Sequence, residues 1–384
     1  MVEDYKIYRS LQKHLDKQLI RFPKYKSGAD IDLLRSIFSP KHAQIAIKLN
    51  HKYETTSQIY ERVKDIVESE EHLKSELDEM VKKGGIGYSF RDGKGLYRII
   101  PLTTGIFDFQ IHQFYDEYIP EFWTAYKEFN DDTFGFGISF LSSKVPQFRI
   151  IPIEESISPE QSIMSYDELE HLIKTTEFPI FVHKCLCREK AELEGNPCKA
   201  TSRKEVCLAL GSFAQTISKM NVGREISKAE ALELTRLNQK EGLVLNVSNA
   251  QKIQWICSCC SCCCNYISEL SRMPRAGQFF QHNYHASVDQ SECIGCGICV
   301  EKCPMGANTL SKKSKIPKID LYKCIGCGVC IPACPKECRT LVKNKKEIVP
   351  PKTDEKMVDI IMENRKGRFG SFLRVVKRIL KGPK

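Results

Sequence analysis

The sequence predicts an α+β chain built from several units, and three observations carry that reading. Residues 28–100 contain short helical stretches followed by two β-prone runs around a turn. All 19 cysteines fall between Cys185 and Cys338, although the chain has 384 residues. Near the C-terminus one cysteine pattern occurs twice, an internal repeat. The expected parts are a helical group closed by a hairpin (residues 1–100), an acidic, aromatic-rich connecting region (101–180), a Cys-rich, mainly helical middle domain (181–280), a repeat domain (281–345) and a basic amphipathic tail (346–384).

Charge follows the same divisions. The net charge is +10. Residues 1–100 contribute +4, residues 101–180 contribute −10, residues 181–290 contribute +4 and residues 291–384 contribute +12. An acidic middle between basic ends predicts segments with different partners. The start, MVEDYKIYRSLQKHLDKQ, has no apolar core of signal-peptide length, and no run approaches the roughly 18 apolar residues of a membrane span. The expected location is therefore the cytoplasm, where thiols stay reduced. Dense cysteines there point to metal or iron–sulfur ligation, and away from disulfides.

Residues 1–28 read as a leading amphipathic helix or arm ending near Pro23. Ser39 before Pro40 marks a helix start. Thr55 or Thr56 can cap the next helix. Residues 71–83 place Leu73, Leu77, Met80 and Val81 on one helical face. After Gly84-Gly85, IGYSF and LYRII flank Arg91-Asp92-Gly93-Lys94-Gly95, a hairpin signature. This element order resembles a winged-helix domain, which implies DNA binding through residues 71–83. Charge opposes that: residues 61–80 carry three basic side chains (Arg62, Lys64, Lys74) against eight acidic ones. A helix that must approach phosphates is poorly served by such a surface.

The connecting region packs nine aromatic residues, from Phe107 to Phe129, into 23 positions. Such a stripe is expected to be core. FRIIPIEESI then reads as a strand and turn, SYDELEHLIK as a capped helix, and PIFVHKCLC as a buried strand.

Ten cysteines lie in the middle domain. Cys185, Cys187, Cys198 and Cys207 come first, and Cys257, Cys259, Cys260, Cys262, Cys263 and Cys264 form the run CSCCSCCC. Between them Ser227 and Glu230 make a capping-box pattern, with Gly242 ending the helix. On a helix, Cys257, Cys260 and Cys264 would share one face and Cys259, Cys262 and Cys263 another. Two metal sites, or one cluster with spare thiols, both satisfy the pattern. Soft thiolates favour a further Fe–S cluster, with zinc second. His183, Lys184 and Arg188 lie beside Cys185 and Cys187, where positive charge lowers thiol pKa or balances a cluster. His183 reads as a strand residue.

The repeat is Cys293-Ile-Gly-Cys296-Gly-Ile-Cys299-Val-Glu-Lys-Cys303-Pro304, then Cys324-Ile-Gly-Cys327-Gly-Val-Cys330-Ile-Pro-Ala-Cys334-Pro335. Both are C-x2-C-x2-C-x3-C-P, and they resemble the bacterial ferredoxins that carry two 4Fe–4S clusters. That resemblance implies a ferredoxin-like fold in which Cys293, Cys296, Cys299 and Cys334 hold one cluster, and Cys324, Cys327, Cys330 and Cys303 the second. Zinc gives no reason for the triple spacing or the doubled Cys-Pro. Cys338 is left over and is expected to pack as a small buried apolar group. The whole order of motifs, Cys185-Leu-Cys187-Arg188, Asn196-Pro197-Cys198, Val206-Cys207-Leu208, Gly242-Leu243-Val244 and the cysteine run, resembles a 4Fe–4S ferredoxin-type iron–sulfur binding family of anaerobes and archaea. The resemblance carries no defined reaction.

In the tail, residues 365–384 combine Phe369, Phe372, Leu373, Val376, Ile379 and Leu380 at helical spacing with Arg374, Lys377, Arg378 and Lys381. This predicts docking on an anionic membrane surface or an acidic partner. Taken together, the leading expectation is an iron–sulfur electron-transfer protein that passes single electrons through two 4Fe–4S clusters, between the inner cysteine centre and a redox partner protein. A redox-responsive transcription regulator using the winged helix is the second reading. An Fe–S oxidoreductase with substrate at the inner cysteines is the third. Neither a dinucleotide fingerprint after a strand nor a P-loop is present in the sequence.

Overall fold

The computed structural model describes residues 2–131, 145–157, 163–273, 275–366 and 368–380. The chain opens with helix Val2–Leu15, which buries Tyr8, Leu11 and Leu15. Helices Ala29–Arg35 and Pro40–Ile47 follow, the second capped by Ser39 with Pro40 at its first position. A capping box between Thr55 and Gln58 starts helix Thr56–Tyr60. Helix Glu70–Lys82 buries Leu73, Leu77, Met80 and Val81, the face its periodicity marks. Strands Ile86–Arg91 and Lys94–Ile99 pair antiparallel across Asp92-Gly93, both at positive φ, the turn whose twist suits a hairpin. A short strand, Glu54–Thr55, completes a three-stranded sheet by pairing with Lys94–Ile99.

The aromatic stripe is core. Phe107 stacks on Tyr126 with ring centroids 4.3 Å apart, and Phe122 meets Trp123 edge-on at 5.0 Å. These rings join one apolar cluster with the helices of the first hundred residues and with Ala214 and Ile217.

The middle of the chain is organised by a seven-stranded sheet. Its order is Phe280–Gln281, Phe148–Ile151, Val244–Ser248, Trp255–Cys259, Glu205–Ala209, Ile180–Lys184 and Arg224–Ile226. The first pair is parallel and the others antiparallel. The expectation of a mainly helical unit misses this sheet. Its inner strands are buried on both faces, so VCLAL and LVLNV show short apolar runs without the alternation that marks a half-buried strand. The cysteine run is likewise a strand as far as Cys259, then a turn, and a helix only from Asn265. Helix Lys228–Lys240, capped by Ser227, packs on the sheet through Ala231 and Leu232.

The C-terminal repeat is clamped to this sheet. Ile153 donates its backbone N–H to the Cys327 carbonyl at 3.2 Å, and Ser156 Oγ donates to the Gly328 carbonyl at 3.3 Å. Arg149 and Asp167, both buried, pair at 2.9 Å, and Asp167 also accepts from Asn283 Nδ2 at 2.9 Å. Helices Asp354–Glu363 and Arg368–Leu380 close the described chain, with residues 381–384 of the predicted tail outside the described residues. Phe369, Leu373 and Leu380 are exposed on the last helix. Among the described residues no helix is long and apolar enough to cross a membrane.

Candidate metal centres

The two cysteine repeats form similar loops for the same backbone reason. Gly295 and Gly326 both have φ near +65°, and a Cβ on either would meet backbone oxygen, Lys315 O at 2.9 Å or Tyr284 O at 2.2 Å. Only glycine lets each loop wrap this tightly. One cavity is lined by Cys303, Cys324, Cys327 and Cys330. A second is lined by Cys293, Cys296, Cys299 and Cys334. Each therefore takes three cysteines from one repeat and one from the other. Residues 285–335 match the 4Fe-4S dicluster domain family.

The C-terminal unit is a ferredoxin-type iron–sulfur domain. Comparison with the curated proteins and with the solved structures found no match. The family match stops short of the winged-helix resemblance in residues 28–100 and of the motifs between Cys185 and Cys264.

The donor sets in this domain fit 4Fe–4S groups. Backbone amides aim at sulfur, Ala307 N to Cys303 Sγ at 3.2 Å and Ala286 N to Cys324 Sγ at 3.4 Å. A buried cation sits among the thiols as well. Arg339 is 2 % exposed, donates Nη2 to Asn308 Oδ1 at 2.9 Å, and leaves Nε and Nη1 without a hydrogen-bond partner. A buried guanidinium with no carboxylate beside it costs several kcal/mol, ~3–5 when a counter-charge is missing. Its charge acts on Cys299 in one cavity and on Cys324 and Cys330 in the other. Two anionic clusters would supply the missing counter-charge.

Cys338 is buried as expected, but it is not remote from the chemistry. It lines the cavity of Cys293, Cys296, Cys299 and Cys334, with its sulfur 3.5 Å from Cys334 Sγ. Burial pushes its thiol up to about 12. Sequence reasoning also missed Arg339, because nothing in a single arginine announces that it will be enclosed.

The ten inner cysteines fall into two groups. Cys185, Cys187, Cys207, Cys257, Cys259 and Cys264 line one cavity together with Asp108, His183, Arg188, Trp255 and Tyr266. Their thiols are linked in a chain: Cys257 to Cys207, Cys207 to Cys185, Cys185 to Cys187, Cys187 to Cys264, and Cys264 to Cys259. Hydrogen bonds from Cys187 and Cys207, with the Arg188 charge, hold the Cys185 thiol well below its usual range. Cys260 and Cys263 also reach the cavity wall. Cys198, Cys260, Cys262 and Cys263, however, gather separately, their sulfurs all within 4.8 Å of one another. The helical-face grouping of the run is corrected accordingly. Strand geometry puts Cys257 and Cys259 on one side of Ser258, and the following turn carries Cys260, Cys262 and Cys263 away to Cys198.

Arg188 stands between the two groups. It is buried, its Nε donates to Cys198 Sγ at 3.4 Å, and its Nη2 donates to the Ser258 carbonyl at 2.9 Å. His183 is a strand residue whose Nδ1 lies 2.8 Å from the Lys184 carbonyl. Lys184 turns away and donates to the Phe114 carbonyl at 2.7 Å. Asp108, which no motif flagged, meets Tyr266 Oη at 3.2 Å on the cavity wall, and desolvation pushes its carboxyl up to about 7.

Proposed function

We propose that the protein is an iron–sulfur electron carrier whose ferredoxin-type domain connects a docked redox partner to an inner iron–sulfur centre held by Cys185, Cys187, Cys207, Cys257, Cys259 and Cys264. One observation carries this reading. Cys303 and Cys327 pack into the same buried cluster as Cys257, Cys259 and Cys264, together with Val244, Ile325 and Val329. The other quartet faces outward: Cys296 is exposed, Cys293 is half-buried, and Ile294 between them is 61 % exposed. When bound, 4Fe–4S groups supply one-electron chemistry at the two cavities. The chain excludes water around Cys324 and Cys330, binds sulfur through amides, and offsets negative charge with Arg339 and Arg188.

The outward face also carries exposed Lys312, Lys313, Lys315, Lys318 and Lys336. Such a field favours an acidic redox partner. Anaerobic reconstitution tests the reading. About eight irons in the ferredoxin cysteines, plus further iron lost on replacing Cys185 and Cys207 by serine, is the expected result. Iron content unchanged by that replacement would remove the inner centre.

The regulator reading finds little support. The hairpin arginines that would reach DNA are engaged within the chain: Arg91 pairs with Glu355 at 2.5 Å and Arg98 with Asp354 at 3.6 Å. Helix Gly211–Lys219 covers the hairpin edge, with Gln215 accepting from Phe90 N at 3.0 Å and donating back to the Phe90 carbonyl at 3.0 Å. Lys219 pairs with Asp78 on helix Glu70–Lys82 at 3.0 Å.

A further inference from the structure

We infer that Cys198, Cys260, Cys262 and Cys263 form a separate mononuclear site for a tetrahedral divalent cation, zinc. Zinc–thiolate bonds of about 2.3 Å require sulfurs about 3.8 Å apart at the corners of a tetrahedron. The sulfurs of Cys198 and Cys260 are 3.7 Å apart, those of Cys198 and Cys262 3.8 Å, those of Cys260 and Cys262 3.4 Å, and those of Cys260 and Cys263 3.0 Å. A four-iron cubane places its own irons and sulfides between the ligands and spreads them much further. Neither ferredoxin quartet nor the six linked thiols is gathered within 4.8 Å, the closeness this quartet shows among the described residues.

The surroundings suit a closed structural site. Lys199 donates its backbone N–H to Cys262 Sγ at 3.4 Å, and Arg188 donates to Cys198 Sγ at 3.4 Å. Four thiolates around a dication leave two negative charges, which these donors offset. Cys260 and Cys263 are buried, whereas Cys262 is exposed, so the site sits at the surface and its ion has access without unfolding. Its position gives it a task. Between helix Leu186–Leu193 and strand Glu205–Ala209 the chain has no regular structure, and Cys198 is the anchor that ties this loop to the turn after strand Trp255–Cys259. The ion would cross-link residues 62 positions apart and hold Arg188 between the two thiol groups.

The site stands apart from the electron-transfer reading, and iron content serves only as a control in its test. The test uses the full chain prepared anaerobically from medium containing zinc and iron, then dialysed against a chelator. Wild type should retain about one zinc per chain, and C198A/C262A should lose it while iron content and cluster EPR signals stay unchanged. No zinc in wild type, or loss of iron in place of zinc, overturns the assignment. If the double variant fails to fold, zinc-edge X-ray absorption of wild type decides. Four sulfurs at about 2.3 Å support the site, and nitrogen or oxygen ligands reject it.

Discussion

Replacing Arg339 by methionine should make both clusters of the ferredoxin-type domain harder to reduce. The guanidinium is buried, its single oxygen partner is Asn308, and its charge acts on thiols in both cavities. Reduction adds one negative charge to a cluster. At an effective dielectric constant of about 20 and a separation of roughly 6 Å, one positive charge favours that step by ~3 kcal/mol. Tenfold in an equilibrium constant is ~1.4 kcal/mol and, for one electron, about 59 mV, so the loss corresponds to roughly 120 mV. Arg339→Met keeps most of the buried volume, and Arg339→Lys keeps the charge as a control. The assay is an anaerobic redox titration followed by EPR. Both couples should fall by roughly 120 mV in the methionine variant and by much less in the lysine variant. Shifts below about 20 mV, or a shift in one couple alone, would refute the placement of this charge between two anionic groups.

Three further outcomes follow from named contacts. Cys303→Ser should abolish the same cluster signal as Cys327→Ser and spare the one lost in Cys296→Ser, because Cys303 lines the cavity of the second repeat; loss of the other signal would reverse the ligand exchange. Asp167→Ala leaves the buried Arg149 without its anion, so urea unfolding of the holoprotein should show a loss of ~3–5 kcal/mol, whereas a loss under about 1 kcal/mol would mean Arg149 re-solvates. Asp108, raised to about 7 by desolvation, is bound more tightly to its proton in the folded chain than in the unfolded one. Its contribution is full below its unfolded pKa and is lost as pH rises through about 7. Asp108→Asn should therefore gain thermal stability over wild type as pH rises from about 4 to about 7 and hold that gain above it, and a pH-independent difference in melting temperature would contradict this.

The parts legible in sequence are those whose physics is local. Ser39-Pro40, Thr55-Gln58 and Ser227-Glu230 announce helix starts because a side-chain oxygen answers nearby amides. Asp92-Gly93 announces its hairpin because two successive residues must take positive φ. The doubled C-x2-C-x2-C-x3-C-P is legible for the same reason, since each loop carries its own glycines and three of its own cysteines.

Tertiary structure alone decided how the remaining thiols are shared out. The helical-face rule separates the run CSCCSCCC wrongly because Cys257–Cys259 end a strand and the rest of the run is a turn, so no helical period holds along it. Cys198 joins Cys260, Cys262 and Cys263 across some 62 residues through sheet order, which no spacing records. The same holds for Arg339 among the ferredoxin thiols, and for the hairpin arginines taken up by Asp354 and Glu355. The sequence by itself determined that this chain carries iron–sulfur ligands. Which sulfurs meet, and which charges face them, is a matter of long-range packing, because desolvation and Coulomb energy depend on what surrounds a group in space.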